Sequence, residues 1–268
     1  MAANAVLKPV RETGWRSGFG NLLRKELGLW FGTSRLWKQT LLWTLLLNGV
    51  VALMQVMLRN ETPATGAPPD MPFMMGIQVF FSLTMVAIPV GAILSIQDAI
   101  IGERQLGTAA WILSKPVARP SFVLTKFLAH AAGMTTLAVL LQMAIFVVQM
   151  WFWSGGTLPE ALPMAKALGL LLAHMYFYQA LYLMLSTFFT GRGAVTGITL
   201  GLLFSGQIVP QLLPWTLKVT PWFFAQLVPG VMMKSPVPDW AWIPITITTV
   251  LIPVFLGVAV WRFQREEL

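Results

Sequence analysis

Cysteine is absent from the 268 residues, which excludes a disulfide framework, a thiolate metal site and a cysteine nucleophile. Charge is scarce as well. Asp, Glu, Lys and Arg make up 10% of the chain and hydrophobic residues 56%, whereas about a quarter of a soluble domain is charged. Such a composition is not that of a soluble domain and suffices for several membrane spans. Histidine is nearly missing. His130 and His174 each lie in or at the end of an apolar run, with no carboxylate at helical spacing, and are expected to be buried, satisfied side chains. There is no G-x-x-x-x-G-K-[ST] phosphate loop, so ATP is not bound by that route, and no His-Glu-x-x-His zinc motif. Nothing resembles the G-x-S-x-G context of an intramembrane serine protease. No Asp or Glu lies well inside an apolar run, which argues against an ion- or proton-coupled transporter. No catalytic, cofactor-binding or metal site is therefore expected on this chain. Its net charge of +8 belongs with topology and headgroup attraction, not with nucleic acid. The first 38 residues lack the apolar core of a signal peptide, so the first span is expected to be its own insertion signal.

What the chain does have is organised around residues 95–126. Asp98, Glu103, Arg104, Lys115, Arg119 and Lys126 fall in this stretch, between apolar runs that carry no charge. A charged side chain at the bilayer centre costs roughly 2.5–3.5 kcal/mol even on a lenient scale, so this island lies outside the hydrocarbon. A short helix is expected over 99–113. Pro116 forbids its continuation, and the chain re-enters the membrane near Phe122.

Ahead of the island, Trp15, Phe19, Leu22, Leu23, Leu27 and Trp30 recur at spacings of three and four, with Arg16, Arg24 and Lys25 off that face. This predicts an interfacial helix over 15–38, after a polar tail at 1–14. Apolar runs of about 20 residues, the length that crosses ~30 Å of hydrocarbon, predict spans near 39–58, 73–97, 121–151, 165–189, 194–213 and 242–261. Pro89 should kink the second. Residues 59–72 hold Pro63, Pro68 and Pro69 and read as an exposed loop. Residues 214–241 are rich in Trp, Phe and Met, yet broken by five prolines. They are expected to form short helices re-entering from the outer face, buried against protein. The whole chain then reads as a single domain: a six-span bundle over 39–262 and a cytoplasmic tail at 263–268.

With six spans, fourteen of the eighteen Lys and Arg fall on the side that holds both termini, the 95–126 loop and the 190–193 turn. The positive-inside rule makes that side cytoplasmic.

The loop also carries a family resemblance. Glu103-Arg104 with Gly107-Thr108, then Leu113-Ser114-Lys115-Pro116-Val117-Ala118-Arg119, then Lys126-Phe127-Leu128 resemble the first cytoplasmic loop of ABC type-2 permeases, the membrane subunits of ATP-driven exporters. The match runs over some 25 residues with its spacing intact. The basic ending Arg262 to Glu267 is similar to that family's usual tail. The resemblance implies an all-α membrane protein with an N-terminal interfacial helix, six transmembrane helices, a cytoplasmic coupling helix and a re-entrant outer segment before the last span. It implies a substrate path shared between two permeases, as a homodimer or heterodimer. It implies a separate ABC ATPase, carrying ATP and Mg, docked on the loop. Glu103, Arg104, Gly107, Thr108, Leu113, Pro116 and Arg119 are the candidate coupling residues. Glu103 and Arg104 point about 100° apart on a helix, so one is expected to face the ATPase and the other to tie the loop to the interfacial helix. Membrane lipid is the remaining expected partner.

The second and fifth predicted spans, which the resemblance places at the path, carry mild polar groups. Gln78, Ser82, Thr199, Gln207 and Gln211 are candidates to line it, or equally to glue the bundle by interhelical hydrogen bonds. Gln207 and Gln211 are four apart and would share a helix face. The rival reading is a membrane-embedded enzyme or a non-transporting assembly factor of the same fold.

Overall fold

The computed structural model describes residues 13–65 and 71–266, and every regular element among them is helical. Most of the polar tail, the tip of the 59–72 loop, Glu267 and Leu268 lie outside the described residues. After a 3-10 turn at Gly14–Arg16, helix α1 (Phe19–Phe31) begins at Gly18. Glycine is required there twice over. Its φ is 73°, and the Val117 side chain lies 2.8 Å from where a Cβ would stand. The helix expected over 15–38 is thus shorter, and a bend at 32–34 releases Arg35 and Lys38 into the first span. Its buried stripe is also rotated from the expected one. Leu22, Glu26 and Trp30 are buried, at i, i+4 and i+8, while Trp15 is exposed.

The first span is one continuous helical rod made of α2 (Arg35–Trp43), a π turn over Thr44–Gly49 and α3 (Val50–Thr65). Residues 59–65, expected in a loop, are helical. A proline near a helix end sacrifices few backbone bonds, so Pro63 does not stop the rod. Helix α4 (Met71–Ile96) runs on through Pro89. The single helix expected over 99–113 is two, α5 (Ile101–Gln105) and α6 (Thr108–Leu113). They are divided at Gly107, whose φ of 70° is left-handed. Next come α7 (Arg119–Met134), a π turn over Thr135–Leu140 and α8 (Leu141–Trp153), again continuous. Helix α9 (Ala161–Phe188) follows.

The fifth expected span differs most. Helix α10 (Arg192–Ser205) has 14 residues, about 21 Å at 1.5 Å per residue. The chain breaks at 206–208 before the single turn of α11 (Val209–Leu212). Two features break it. The Trp222 ring occupies the space beside Gly206 and its Nε1 donates to the Leu202 carbonyl at 2.8 Å, and Pro210 has no N–H to give. Residues 214–241 form two 3-10 turns, helix α12 (Phe224–Met232) and a third 3-10 turn, and α13 (Trp242–Gln264) ends the bundle. Among the described residues, five helical segments are long and apolar enough to cross a membrane: Arg35–Leu58, Met71–Gln105, Arg119–Trp153, Ala161–Phe188 and Asp239–Gln264. Helix α10 is shorter.

Helices α4, α7–α8 and α9 bury half or more of their apolar length, while the first and last segments bury far less and flank them. Helix α1 lies along α7, and α13 along α9. Two large apolar cores divide the bundle, beside a small cluster of Phe223, Leu227 and Ala241. One surrounds Phe80, Phe81 and Phe146, with Phe80 stacked on Phe146 at 4.0 Å. The other, at the α5–α6 end, surrounds Ile100, Tyr182 and Phe122, the last stacked on Phe263 at 5.1 Å.

The two π turns serve one contact. Asn48 Nδ2 donates to Gln142 Oε1 at 2.9 Å and to the Gln142 carbonyl at 3.2 Å, and Gln142 Nε2 donates to the Leu137 carbonyl at 3.0 Å. A π turn leaves backbone groups without their usual helical partners, and the Gln142 amide satisfies one of them.

Candidate functional site

Lys126 stands in the second turn of α7, 2% exposed. A lone buried ammonium would cost several kcal/mol. Here it donates to Glu26 Oε1 of α1 at 3.1 Å and stands 2.8 Å from Glu103 Oε1 of α5. Lys25, half-exposed, flanks the same carboxylates at 3.7 and 3.5 Å. Three elements distant in sequence therefore share one neutral quartet. Burial pushes the Glu26 carboxyl up, but Lys126 first and Lys25 next outweigh it and hold the group below its ordinary value of 4.5.

Arg104 points elsewhere. Its Nη1 donates to the Ser186 carbonyl at 2.7 Å and to that of Phe189 at 3.3 Å, and its Nη2 pairs with Glu266. It thus caps the open C-terminus of α9, where carbonyls lack helical partners and cations are favoured. Arg119 does the same for α13, donating to the carbonyls of Phe263, Gln264 and Glu266 at 3.3, 2.7 and 2.8 Å. Thr108 Oγ1 returns to the Glu103 carbonyl at 3.1 Å, closing the Gly107 turn. Leu113 packs on the core beneath, and the Pro116 carbonyl accepts from Ser17 Oγ at 2.6 Å. Ala118 N–H to the Ser17 carbonyl and Ser121 Oγ to the Trp15 carbonyl complete the strap between the N-terminal turn and the start of α7.

The seven loop residues chosen from the sequence thus belong to one braced frame. Glu103 ties the loop to α1, as one of the pair was expected to. Arg104, however, is not turned outward but is used on α9 and the C-terminal segment. The outer side of the frame carries two large apolar side chains among polar ones: Leu106 is 78% exposed and Trp111 66%, with the Lys115 ammonium 5.3 Å above the Trp111 ring. Sequence reading missed Glu26 and Glu266. The one signal for Glu26 was its place midway between Leu22 and Trp30, four residues from each.

The polar residues proposed for a path are dispersed. Gln78 and Ser82 share an exposed face of α4. Thr199 is buried and donates back to the Val195 carbonyl at 2.8 Å. Gln207 falls in the 206–208 turn, so it does not share a helix face with Gln211. The two meet through Gln211 Nε2 and the Gln207 carbonyl at 2.7 Å, both exposed. His130 Nδ1 donates to the Lys126 carbonyl at 2.9 Å, and the ring stands edge-on to Trp30. His174 packs against Tyr178 and Phe224. Among the described residues no three His, Cys, Asp or Glu side chains could hold a metal.

Beside the quartet lies an open-sided cavity of about 670 Å³ between α1, α2 and α4. Glu26, Glu103 and Lys126 floor it, and Arg35 lies at its polar end. Leu42, Leu46, Val90 and Leu94 form its apolar wall.

The family model of ABC-2 family transporter proteins matches residues 31–268. The chain is also similar, at 24% identity over 176 residues, to the uncharacterized transmembrane protein YxlG of Bacillus subtilis (strain 168). That alignment covers 65% of this chain and 67% of YxlG.

Proposed function

We propose a transport role from one premise: the chain belongs to the ABC-2 family of transporter proteins, whose model spans nearly all of it. It is a multi-pass membrane permease, a kind of subunit that is typically non-catalytic and associates with an ABC ATPase. Beyond this, it forms the substrate path of an exporter, and the ATPase, with ATP and Mg on its own chain, drives it through α5 and α6. The observation that carries this reading is the two-sided build of that loop. On its inner side Glu103 and Arg104 brace it against α1, α7, α9 and the C-terminal segment, so a push on it reaches several helices together. On its outer side Leu106 and Trp111 stand exposed at a level that the charged frame keeps out of the hydrocarbon. Exposed aromatic and aliphatic anchors of this kind carry most of the energy at protein interfaces.

In this reading α1 lies in the cytoplasmic interface and both termini are cytoplasmic. Helix α10 and, after the break at 206–208, the turn of α11 make the fifth crossing, completed by residues 214–241 re-entering from the outer face. Two permeases, identical or closely related, pack through α10. There Gly193, Gly197 and Gly201 lie four apart on an exposed face with open space where a Cβ would be, which permits close helix approach. Gln78, Ser82, Gln207 and Gln211 line the path of an amphipathic cargo, and Thr199 supports it from behind.

Co-purification of the ATPase with Leu106→Glu and Trp111→Ala, beside Leu158→Ala at the opposite end, tests the docking face. Loss of an interface anchor costs about 2 kcal/mol or more, roughly thirtyfold in affinity. Both loop variants should shed the ATPase and the control should keep it. Retention by both loop variants refutes docking at α5–α6.

A further inference from the structure

We propose that the cavity between α1, α2 and α4 is a binding site for a membrane phospholipid, with the phosphate on Arg35 and the acyl chains along α2 and α4. The inference rests on the membrane reading of the chain, but not on its coupling to an ATPase.

The charges decide the headgroup. Of the carboxylates lining the cavity, Glu26 and Glu103 are matched by Lys126 and Lys25, and Asp98 by Arg192 at 2.5 Å. Arg35 is different. Its guanidinium lies 3.8 Å over the Trp30 ring and gives one hydrogen bond, to the Ser95 carbonyl at 3.3 Å. Among the described residues no carboxylate stands within ion-pair distance of it, and Glu26 acts on it only from farther off. A guanidinium with several donors to spare fits a phosphate in two-point fashion. Trp30 adds a second unmet donor. It lines the cavity, is 1% exposed, and its Nε1 has no hydrogen-bond partner. These two donors suit a phosphate, while Glu103 Oε2, which also lines the cavity and is buried without a hydrogen-bond partner, offers an acceptor to the ammonium of a zwitterionic headgroup.

The walls decide the tail. Leu42 and Leu94 are about half-exposed, which opens the cavity sideways along the flanks of the first two spans. The walls are also firm. The Trp43 ring is seated on Gly91 of α4, and the Trp30 ring on Gly133 of α7, each in space that a Cβ would fill. Trp43 is fixed further by its Nε1, which donates to Gln39 Oε1 at 2.8 Å. A volume of about 670 Å³ lies within the range of small-molecule sites, about 300–1,000 Å³. It holds a headgroup and the upper acyl chains, while the open side leaves the rest in the bilayer. A fixed polar end with a sideways apolar exit matches an amphiphile lying upright in one leaflet, not a water-soluble ligand.

The test uses the full-length protein, stripped of lipid in dodecyl maltoside and titrated with dioleoyl phosphatidylethanolamine, dioleoylglycerol or inorganic phosphate. Bound lipid is counted by native mass spectrometry. The phospholipid should bind at least roughly tenfold tighter than the phosphate-free dioleoylglycerol, as expected for charge-assisted hydrogen bonds. Arg35→Gln should abolish that preference, and Leu94→Trp, at a half-exposed position, should weaken both lipids. Size-exclusion profiles identify any variant that has merely unfolded, and Leu94→Trp then stands as the second arm. Equal binding of the two lipids overturns the proposal, as does an Arg35→Gln protein that still prefers the phospholipid. So does displacement of the lipid by millimolar inorganic phosphate, which would assign the seat to a free anion.

Discussion

Replacing Lys126 by Met tests whether the buried quartet holds the loop. The side chain of Lys126 is 3% exposed and that of Glu26 6%, so neither can turn to water without moving a helix. Removing the ammonium leaves Glu26 and Glu103 facing each other across a buried gap. Breaking one partner of a buried pair costs about 3–5 kcal/mol. Lys25 remains within 3.7 Å of both carboxylates but is half-exposed, so it offsets part of the loss and the lower end applies, about 3 kcal/mol. At roughly 2–4 °C per kcal/mol for a chain of this size, the midpoint should fall by roughly 6–12 °C. The assay is thermal unfolding in detergent followed by size-exclusion chromatography. Lys126→Met combined with Glu26→Gln should recover part of the loss, because it removes one of the two stranded charges. A single variant within 2 °C of wild type, an arbitrary bound of about half a kcal/mol, would refute the claim that this ammonium pins α1 and α5 to α7.

Acid should weaken the same contact. A carboxyl held below 4.5 by its partners stabilises the fold above its unfolded value, and that contribution is lost as pH falls from 4.5 through the folded value. Stability measured downward from pH 6 should therefore drop below about pH 4.5, and Glu26→Gln should flatten the drop. Asn48→Leu alone strands Gln142 Oε1 and should cost about 1–3 kcal/mol in thermal unfolding, while Asn48→Leu with Gln142→Leu should cost less than the sum of the two singles. In this cysteine-free chain, a cysteine at Gly156 should be labelled by an impermeant maleimide from outside and one at Gly193 should not. Outside labelling at Gly193 contradicts the proposed orientation.

Much of the architecture was legible because hydrocarbon imposes a simple rule: uncharged runs of about 20 residues become spans. The four longest segments lie where composition put them. The 194–213 run is not one helix because hydropathy does not register a tertiary contact, and it is Trp222, pressed on Gly206, that ends α10 early. The loop's frame was readable as a set of residues but not as a set of contacts. Periodicity counted Leu22 and Trp30 on one face and passed over Glu26 between them, since an acid in a buried stripe makes sense only once Lys126, a hundred positions on, is known to meet it. One of Glu103 and Arg104 was given an outward role because sequence cannot show that the C-termini of α9 and α13 converge beneath the loop and take up Arg104. The cavity was illegible for the same reason. Arg35 reads as one of many positive-inside cations until its neighbours' charges are seen to be spent on one another.

The most direct measurement of the central claim is disulfide or short-linker cross-linking in native membranes between this chain and its ATPase. Single cysteines at Leu106 and Trp111 should each cross-link to a cysteine scan of the ATPase surface, with a yield that changes when ATP is added. Cysteines at Trp151 and Leu158, at the other end of the bundle, should give none. Cross-links confined to Trp151 or Leu158, or absent from Leu106 and Trp111 while the ATPase remains bound, would contradict coupling through α5 and α6.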